Sequence, residues 1–468
     1  MSSWAPVDAA SDGWAIGIDF GTAFSKIAAT NNGGGGAGRE IMPLHIGAAA
    51  KGRRSLIVPS ALFLDRDRIF FGPSAISTLV ASGDEKRQAL QSFKTILGAE
   101  DFERAIDLMP LRSVDPSGTF KMGELIVLYL AYLLELMRQS APSRLGPLFG
   151  PSSRVRLRYS RPGWIPRRAT QAHHVMEQLF GLAADVRADV EGQLLAPDGL
   201  PFHKAKDALA RGSQGRLPNL DGGVYEASAV AACHYVDPAV PNYLMVVDIG
   251  AGTADFAGFA RDPRDQSVRV LPSARVTIDV AGDSFDRALM RVILRKAKGL
   301  KRSDEQHALW RNLLANIRDL KESLFEHRRV EIRFRNHVIQ CTAREFIASQ
   351  EYRDAARELA EVYNYSVARM AKAVKAEKGK HIGIVLAGGG AFLPCTVEMA
   401  QKTKKVDRTV SFELLPTTPA WTSDLSSERE FEQLFSQMCV AFGTAIAGQG
   451  LIQNVLPSWL ENPAASVS

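Results

Sequence analysis

Short apolar runs alternate with longer segments of helical periodicity along this chain. Apolar runs short enough for buried strands, each followed closely by glycine, lie at 16–18, 246–249 and 384–387. Further strands are predicted at 24–30, 56–64, 68–72 and 154–159, and a hairpin at 330–340. Helical spacing occurs at 85–97, 123–138, 169–182, 226–235, 285–298, 304–324, 343–378 and 431–449. This mixture predicts an α/β fold.

Three segments, together with a second occurrence of the strand-and-turn pattern, indicate how the chain is divided into domains. Residues 31–38, mostly glycine, predict a flexible surface loop. Residues 196–223, rich in Gly, Pro and basic residues, predict an inserted loop, which is either disordered or a site for a protein partner. Strict alternation at 154–159 puts three arginines on one face, which predicts a solvated basic surface. The strand-and-turn pattern restarts at Tyr243. We therefore expect two lobes and a short tail, spanning 1–242, 243–449 and 450–468.

Glycine turns carry the strongest chemical signal. Two have one design, IGIDFGTA at 16–23 and VVDIGAGTAD at 246–255, and a related turn, IVLAGGG, lies at 384–390. Gly and Thr at a strand end let backbone N–H groups crowd around a phosphate. Asp19 and Asp248 precede the glycines, where a carboxylate facing a phosphate makes sense mainly with a metal ion between them. The repetition predicts a nucleotide held between two lobes.

The composition of the chain excludes only a few classes of protein. The chain has 468 residues, of which 46% are hydrophobic, and a net charge of +6 with no lysine tail or arginine run, so no nucleic-acid partner is expected. The longest apolar segment, 125–137, is interrupted by Glu135 and is predicted to be a core helix, not a membrane span. Residues 1–13 lack a secretory pattern, and the four cysteines lack paired spacing. A reducing cytoplasm is expected.

Taken in order, the motifs resemble one family over roughly residues 14–449. Besides the glycine turns, they include QSFKTILG at 91–98, YEASAVA at 225–231 and AGDSFD at 281–286. Together they resemble the nucleotide-binding domain of the DnaK-type, seventy-kilodalton heat-shock chaperones, within the superfamily of actin and the sugar kinases. The resemblance implies an actin-like ATPase (ribonuclease H-like) fold, with duplicated mixed sheets in two lobes around a nucleotide cleft.

The resemblance also implies a role for each matching residue, with ATP or ADP and Mg²⁺ as cofactors. Catalytic roles would fall on Lys94, Asp19, Glu226, Asp248 and Thr253. Mg²⁺ would be held through its waters by Asp19, Asp248 and Asp255. Nucleotide contacts would come from the three turns and two helices: Gly21, Thr22, Ala23, Gly250, Ala251, Gly252, Thr253, Gly282, Asp283, Lys321, Glu322, Gly388, Gly389, Gly390 and Phe392.

Several residues depart from the family pattern. Ala23 replaces a second hydroxyl near the terminal phosphate, which costs one donor and makes slow hydrolysis credible. Ala251 replaces a glycine and requires a negative φ. Phe392 stands where the family has groups near the base, and it could stack on adenine or pack in the core. Phosphate binding is therefore better supported than base identity.

The expected function is a nucleotide-dependent conformational switch that hydrolyses ATP slowly and recruits or releases a protein partner or co-chaperone. The family's peptide-binding domain has no counterpart in the chain, so a stand-alone peptide clamp is not expected. A nucleotide-sensing scaffold that does not hydrolyse ATP is the closest alternative. A filament-forming actin relative and a small-molecule kinase are the others.

Overall fold

The computed structural model of the protein describes residues 13–31, 40–47, 55–84, 86–99, 101–150, 152–163, 166–213, 215–264, 266–297, 300, 303–406, 409–422, 425 and 429–447. The predicted loop at 31–38, apart from its first residue, and the tail at 450–468 lie outside these residues.

The described residues form a mixed α/β structure. Its strands are β1 (Trp14–Phe20), β2 (Phe24–Asn31), β3 (Glu40–Pro43), β4 (Val58–Pro59), β5 (Ala61–Asp65), β6 (Arg68–Phe71), β7 (Leu90–Gln91), β8 (Arg156–Arg161), β9 (Leu200–Pro201), β10 (Leu220–Tyr225), β11 (Tyr243–Ile249), β12 (Ala254–Arg261), β13 (Val268–Ile278), β14 (Arg329–Phe334), β15 (His337–Thr342), β16 (His381–Ala387), β17 (Lys405–Val406) and β18 (Val410–Leu414). Its α-helices are α1 (Gly72–Ser82), α2 (Phe93–Leu97), α3 (Phe102–Asp107), α4 (Met122–Ser140), α5 (Pro166–Asp189), α6 (Phe202–Arg211), α7 (Glu226–His234), α8 (Gly282–Lys296), α9 (Ser303–His327), α10 (Ala343–Ile347), α11 (Gln350–Ala376), α12 (Pro394–Lys402) and α13 (Arg429–Ile446).

Two large sheets repeat the same five-stranded arrangement. The first has the order β3-β2-β1-β8-β10, and the second has β13-β12-β11-β16-β18 with β17 beyond. In each, the first strand pairs antiparallel with the second, and the second pairs antiparallel with the central third strand. In each, the last two strands run parallel to the central one. The duplication expected from the glycine turns is therefore present in the sheet topology.

The central strands owe their apolar sequences to burial on both faces. β1 is buried along its whole length and β11 at every residue but its first. A strand covered on both faces reads as a continuous apolar run and not as an alternation. Helices α4 and α5 cover one side of the first sheet, and α8, α9 and α11 belong to the corresponding core of the second.

Helices α7 and α13 form a layer that packs against both sheets. Their buried residues share one apolar cluster with residues of β2 in the first sheet and of β11, β12 and β16 in the second. Small residues let the backbones approach closely. A Cβ built on Gly443 of α13 would lie 1.7 Å from Ala229 O of α7, and one on Gly17 of β1 would lie 2.4 Å from Ala441 O. The glycines at these contacts are therefore required by space.

Arg158 corrects the expectation of a solvated basic face on β8. Its side chain is only 2% exposed. Its Nε donates to Asp221 Oδ2 at 2.8 Å, and its Nη1 donates to Ala445 O near the end of α13 at 2.8 Å. The guanidinium supplies a hydrogen-bond donor to a carbonyl group in the last turn of α13, and the carboxylate of Asp221 balances its charge. It can therefore be buried away from solvent. The prediction is wrong for Arg158, because alternation cannot show what covers the second face, whereas Arg154 is exposed and Arg156 is half-buried.

Other element predictions were partly wrong. The predicted helix at 85–97 contains only the short strand β7 and the single-turn helix α2. The loop predicted at 196–223 contains α6 and part of β10, which pairs with β8 in the first sheet. The helix predicted at 343–378 is divided by Ser349, whose side chain caps α11 by accepting from Tyr352 N.

The core-helix prediction at 125–137 is confirmed by α4, which is buried over nearly all of that range. Among the described residues, no helix has an apolar stretch long enough to cross a membrane.

Gly443→Ala tests the backbone contact between α7 and α13. The added methyl group would overlap Ala229 O, so we expect the free energy of unfolding to fall by about 1–3 kcal/mol, although Ala is ordinarily the better helix former. Chemical denaturation measures this change. Gln437→Ala, at a half-buried position of the same helix, is the control and should change stability by about 0.5 kcal/mol or less. Equal effects of the two substitutions would contradict the packing argument.

Candidate functional site

The first two glycine turns are equivalent hairpin turns that face each other. Gly21 N donates to Phe24 O at 3.2 Å between β1 and β2, and Gly250 N donates to Thr253 O at 2.9 Å between β11 and β12. A Cβ built on Gly252 would lie 3.6 Å from the Thr22 methyl carbon. The structure thus brings together two turns that lie about 230 residues apart, each near the beginning of its expected lobe.

The third glycine turn packs on the second. Gly390 N donates to Ile249 O at 2.8 Å. Gly388 has a φ of +77°, and a Cβ there would lie 2.5 Å from Asp248 Oδ1. Gly389 has no such contact, since no atom of the described residues beyond its two chain neighbours lies within 4 Å of the position of its Cβ. Phe392 is 49% exposed, so the core-packing alternative for this residue is wrong.

Each hairpin carries an acidic residue at the same register position. Asp19 on β1 is the register partner of Lys26 on β2, and Asp248 on β11 is the register partner of Asp255 on β12. Lys26 Nζ lies 2.9 Å from Asp19 Oδ2. The first hairpin therefore holds a pair of opposite charges, while the second holds two carboxyl groups.

Hydrogen bonds from neighbouring hydroxyl groups hold the carboxylates of Asp19 and Asp255 in place. Ser160 Oγ donates to Asp19 Oδ1 at 2.8 Å. Thr277 Oγ1 donates to Asp255 Oδ1 at 2.6 Å, and Thr253 Oγ1 donates to Asp255 Oδ2 at 3.2 Å. Thr253 is thus engaged with a carboxylate in this structure. It must turn away from Asp255 to donate to a ligand.

Lys94 lies in the same charge cluster, at the second residue of α2. It forms an ion pair with Glu226, the first residue of α7. Burial lowers the pKa of Lys94, and Asp19 and Asp248 offset only part of that effect. The family-based roles of Lys94 and Glu226 therefore fall on two side chains that contact each other.

The environment separates the pKa values of the two strand-end acids. Burial, followed by the charge of Asp255, raises the pKa of Asp248 to about 7. Burial acts on Asp19 in the same direction, but Lys26, Lys94 and the hydrogen bond from Ser160 outweigh it and hold the pKa of Asp19 below its usual value. One acid is held ionised, and the other exchanges its proton near neutral pH.

The start of α8 joins this site from the second sheet's side. Gly282 N donates to Gly250 O at 3.0 Å, and Asp283 N donates to Ala251 O at 2.7 Å. Lys321 of α9 does not extend freely towards the turns. Its ammonium contacts Asp286 at 2.7 Å and Gly282 O at 3.1 Å, so Lys321 positions the start of α8.

Two further residues expected to contact nucleotide are Asp283 of α8 and Glu322 of α9. Asp283 pairs with Arg318 of α9 at 3.1 Å, and Glu322 is half-buried on the same helix. Sequence reasoning overlooked five neighbours of the expected residues: Lys26, Ser160, Thr277, Asp286 and Arg318. A signal existed for Lys26, because it follows Asp19 at the same spacing that separates Asp255 from Asp248.

The backbone satisfies the condition set for Ala251. Within the described chain, the non-glycine residues with positive φ do not include it. Among the glycines of the three turns, only Gly388 has a positive φ. Gly252 keeps a side chain away from Thr22 of the facing turn, whereas Gly21 is required by the close approach of Phe24 O, 2.7 Å from the position of its Cβ.

The acidic residues fit a hydrated Mg²⁺ unequally. Asp248 and Asp255 form a carboxyl pair that a cation would stabilise, and Mg²⁺ commonly keeps several of its waters. Asp19 does not fit in the same way, because Lys26 already neutralises it. In the described part of the chain, no three His, Cys, Asp or Glu side chains converge on a point where they could ligate a metal directly.

Comparison with protein-family models gives no match, and comparison with curated proteins gives none either.

Asp248→Asn tests the perturbed acid by its effect on stability. The folded-state pKa of Asp248, about 7, exceeds its usual value. The folded protein therefore holds a proton that the unfolded chain has lost between about pH 4 and 7. Stability falls as pH rises through that window, by up to about 1.4 kcal/mol per unit.

Measured in EDTA, the free energy of unfolding of Asp248→Asn should rise relative to the wild type between pH 4 and 7. Asp207→Asn, at an exposed position of α6, should show no such trend. A constant difference between Asp248→Asn and the wild type would contradict the assignment.

Proposed function

We propose that the chain has an actin-like ATPase fold of the kind found in DnaK-type chaperones, and that it binds ATP between the two sheets. One observation carries the proposal. Two sheets of identical five-strand topology end in equivalent turns, and those turns face each other across the site, with Gly252 close to Thr22. A phosphate chain between them would meet backbone N–H groups and hydroxyls from both sides.

The second hairpin supplies the groups suited to proton chemistry. Phosphoryl transfer to water requires positioned charge and an acceptor for the proton of the attacking water. Asp248 has a pKa near 7 and fits the acceptor role. Mg²⁺, when bound, would neutralise charge on the phosphates, and Asp248 and Asp255 are the carboxyl groups that could contact its waters.

Two features support slow hydrolysis. Ala23 leaves the first turn without a second hydroxyl donor. Lys94 is paired with Glu226, so its ammonium must exchange that partner for a phosphate oxygen before it can stabilise the transferred group. A site built in this way holds nucleotide more readily than it cleaves it.

The output would be a nucleotide-dependent change in closure of the two lobes, read by a protein partner in the cytoplasm. A nucleotide can bias closure only through different affinities for the open and closed states. Contacts from turns on both sheets to one phosphate chain would provide that difference. A nucleotide-sensing scaffold without hydrolysis remains the second candidate, favoured by Ala23 and the Lys94–Glu226 pair.

Binding is tested by the melting temperature with and without Mg-ATP. At about a hundred times its dissociation constant, ATP should add roughly 2.7 kcal/mol to the stability of the folded state and raise the melting temperature. Gly252→Val should abolish the increase, because its side chain would extend towards Thr22 into the space between the turns. An unchanged melting temperature with every nucleotide tried would refute nucleotide binding.

Catalysis is tested by Lys94→Ala in single-turnover hydrolysis. Loss of its charge should reduce the rate constant by about a hundredfold or more, while the dissociation constant of ATP changes much less. Because this substitution leaves Glu226 buried without its partner, the double variant Lys94→Ala/Glu226→Gln is measured beside it.

Lys204→Ala, at an exposed lysine of α6, is the matched control and should retain wild-type hydrolysis. Equal losses of binding and hydrolysis in Lys94→Ala would refute its catalytic role. Wild-type protein that binds ATP without any turnover would favour the scaffold.

A further inference from the structure

Most of the net positive charge of the chain belongs to one segment. The whole chain has a net charge of +6. Residues 372–405 contain seven lysines, two acidic residues and no arginine, which is an excess of five positive charges. All seven lysines are exposed, and we call them the lysine patch: Lys372, Lys375, Lys378, Lys380, Lys402, Lys404 and Lys405.

The fold brings the lysine patch to one end of the second sheet. Lys378 N donates to Lys375 O at 3.0 Å where α11 ends, and Lys380 O accepts a hydrogen bond from Ser411 N at 2.8 Å. Ser411 of β18 is the register partner of Lys405 on β17. Because neighbouring strands lie about 5 Å apart, the main chains of Lys380 and Lys405 lie on either side of β18, about 10 Å from each other.

This end of the sheet is opposite to the glycine turns. β11 and β16 run parallel, and both end at those turns. The lysine patch lies where β16 begins and where α11 and α12 end. The seven residues of β16 span about 20 Å. A ligand of the lysine patch would therefore not share the proposed nucleotide site.

Local structural roles account for only part of the lysine patch. Lys375 and Lys402 lie in the last turns of α11 and α12, where a positive charge is favourable to the helix dipole. Lysines on an edge strand such as β17 prevent pairing with another chain. Neither role requires acidic neighbours to be scarce. Of the seven ammonium groups, only that of Lys402 forms an ion pair with a described residue, Glu398, whereas Glu377 pairs with Arg269.

The chemistry of the lysine patch favours an acidic protein segment over nucleic acid or a membrane. Nucleic-acid surfaces commonly combine arginine with aromatic residues, but the segment has no arginine, and its one Phe, Tyr or Trp residue is Phe392, just after the third glycine turn. Membrane surfaces are usually bound by apolar side chains as well as by charge. Among the described residues of the segment, Phe392 alone is an exposed large hydrophobic residue. A run of Asp or Glu can be recognised through charge alone.

We propose that the lysine patch binds an acidic, extended segment of a partner protein. The carboxylates of such a segment would supply the counter-charges that the described residues provide only to Lys402. Each contact would be exposed and weakened by salt, so the segment must engage several lysines at once. The inference goes beyond nucleotide binding and does not depend on it.

The test is the dissociation constant of a fluorescently labelled deca-glutamate peptide, measured by fluorescence anisotropy without nucleotide. The triple variant Lys378→Gln/Lys380→Gln/Lys405→Gln should bind the peptide about tenfold more weakly than the wild type in about 50 mM salt, as expected when three exposed ion pairs are lost. In about 500 mM salt the difference between the two proteins should disappear, because the charges are then screened.

The matched control is Lys86→Gln/Lys121→Gln/Lys204→Gln, which removes the same charge from exposed positions in the first half of the chain. It should weaken binding by less than about threefold. Equal losses in the two triple variants would show that only net charge matters, and would overturn the inference. Chemical denaturation checks that both variants are folded.

The wild-type protein tests the choice of partner without any substitution. Absence of binding to deca-glutamate at low salt would overturn the inference. Tighter binding to phosphatidylserine vesicles or to deca-uridylate than to the peptide would also overturn it, in favour of a membrane or RNA. Because no nucleotide is present, none of these results bears on the proposed ATP binding, and a failure of ATP binding would leave the lysine patch unaffected.

Discussion

The close contact of α7 and α13 between the two sheets is the constraint on which the site depends. The two helices approach at the level of the main chain, because Gly443 faces Ala229 without a side chain between them. α13 also lies directly on β1 at Gly17 and receives a hydrogen bond from the guanidinium of Arg158. The separation of the sheets is therefore set by backbone atoms. Larger side chains in this layer would move the sheets apart, and the turns at the ends of β1 and β11 would no longer face each other.

Charge is distributed unevenly between the two hairpins despite their common geometry. On one side, Asp19 and Lys26 neutralise each other and leave ammonium protons to donate. On the other, Asp248 and Asp255 repel each other, and that repulsion is relieved by a proton or by a cation. Lys94 interacts with acids on both sides. An anionic ligand between the turns would thus meet one wall that attracts it directly and another that accepts it best with a cation.

Local features of the sequence predicted the central strands β1 and β11 and the positions of the three turns, but not β3, β10, β12, β13 or β18 of the two large sheets. An apolar run that ends in glycine can be recognised from a few neighbouring residues, and the central strands β1 and β11 form at two such runs. Long-range contacts were not predictable, because Arg158 is satisfied by Asp221 and Ala445, which are 63 and 287 residues away. The sequence predicted that Asp19, Asp248 and Lys94 lie in one site. It did not predict the neighbouring charged groups that shift their pKa values. The Lys26–Asp19 pair depends on hairpin register, which the repeated spacing indicated only once the two turns were compared residue by residue.

The small-residue layer has a mechanical consequence. α7 presents mainly alanine to α13, and Ala229 meets Gly443 without a side chain between them, so few long side chains of α7 interlock with α13 apart from His234, which packs on Phe435. A slight rotation of one helix over the other would require fewer rotamer changes than it would between helices joined by leucines. Both helices pack against both sheets. A rotation of one sheet relative to the other would therefore change the packing of α7 against α13. The contact of α7 with α13 thus fixes the distance between the two sheets but restricts the angle between them less.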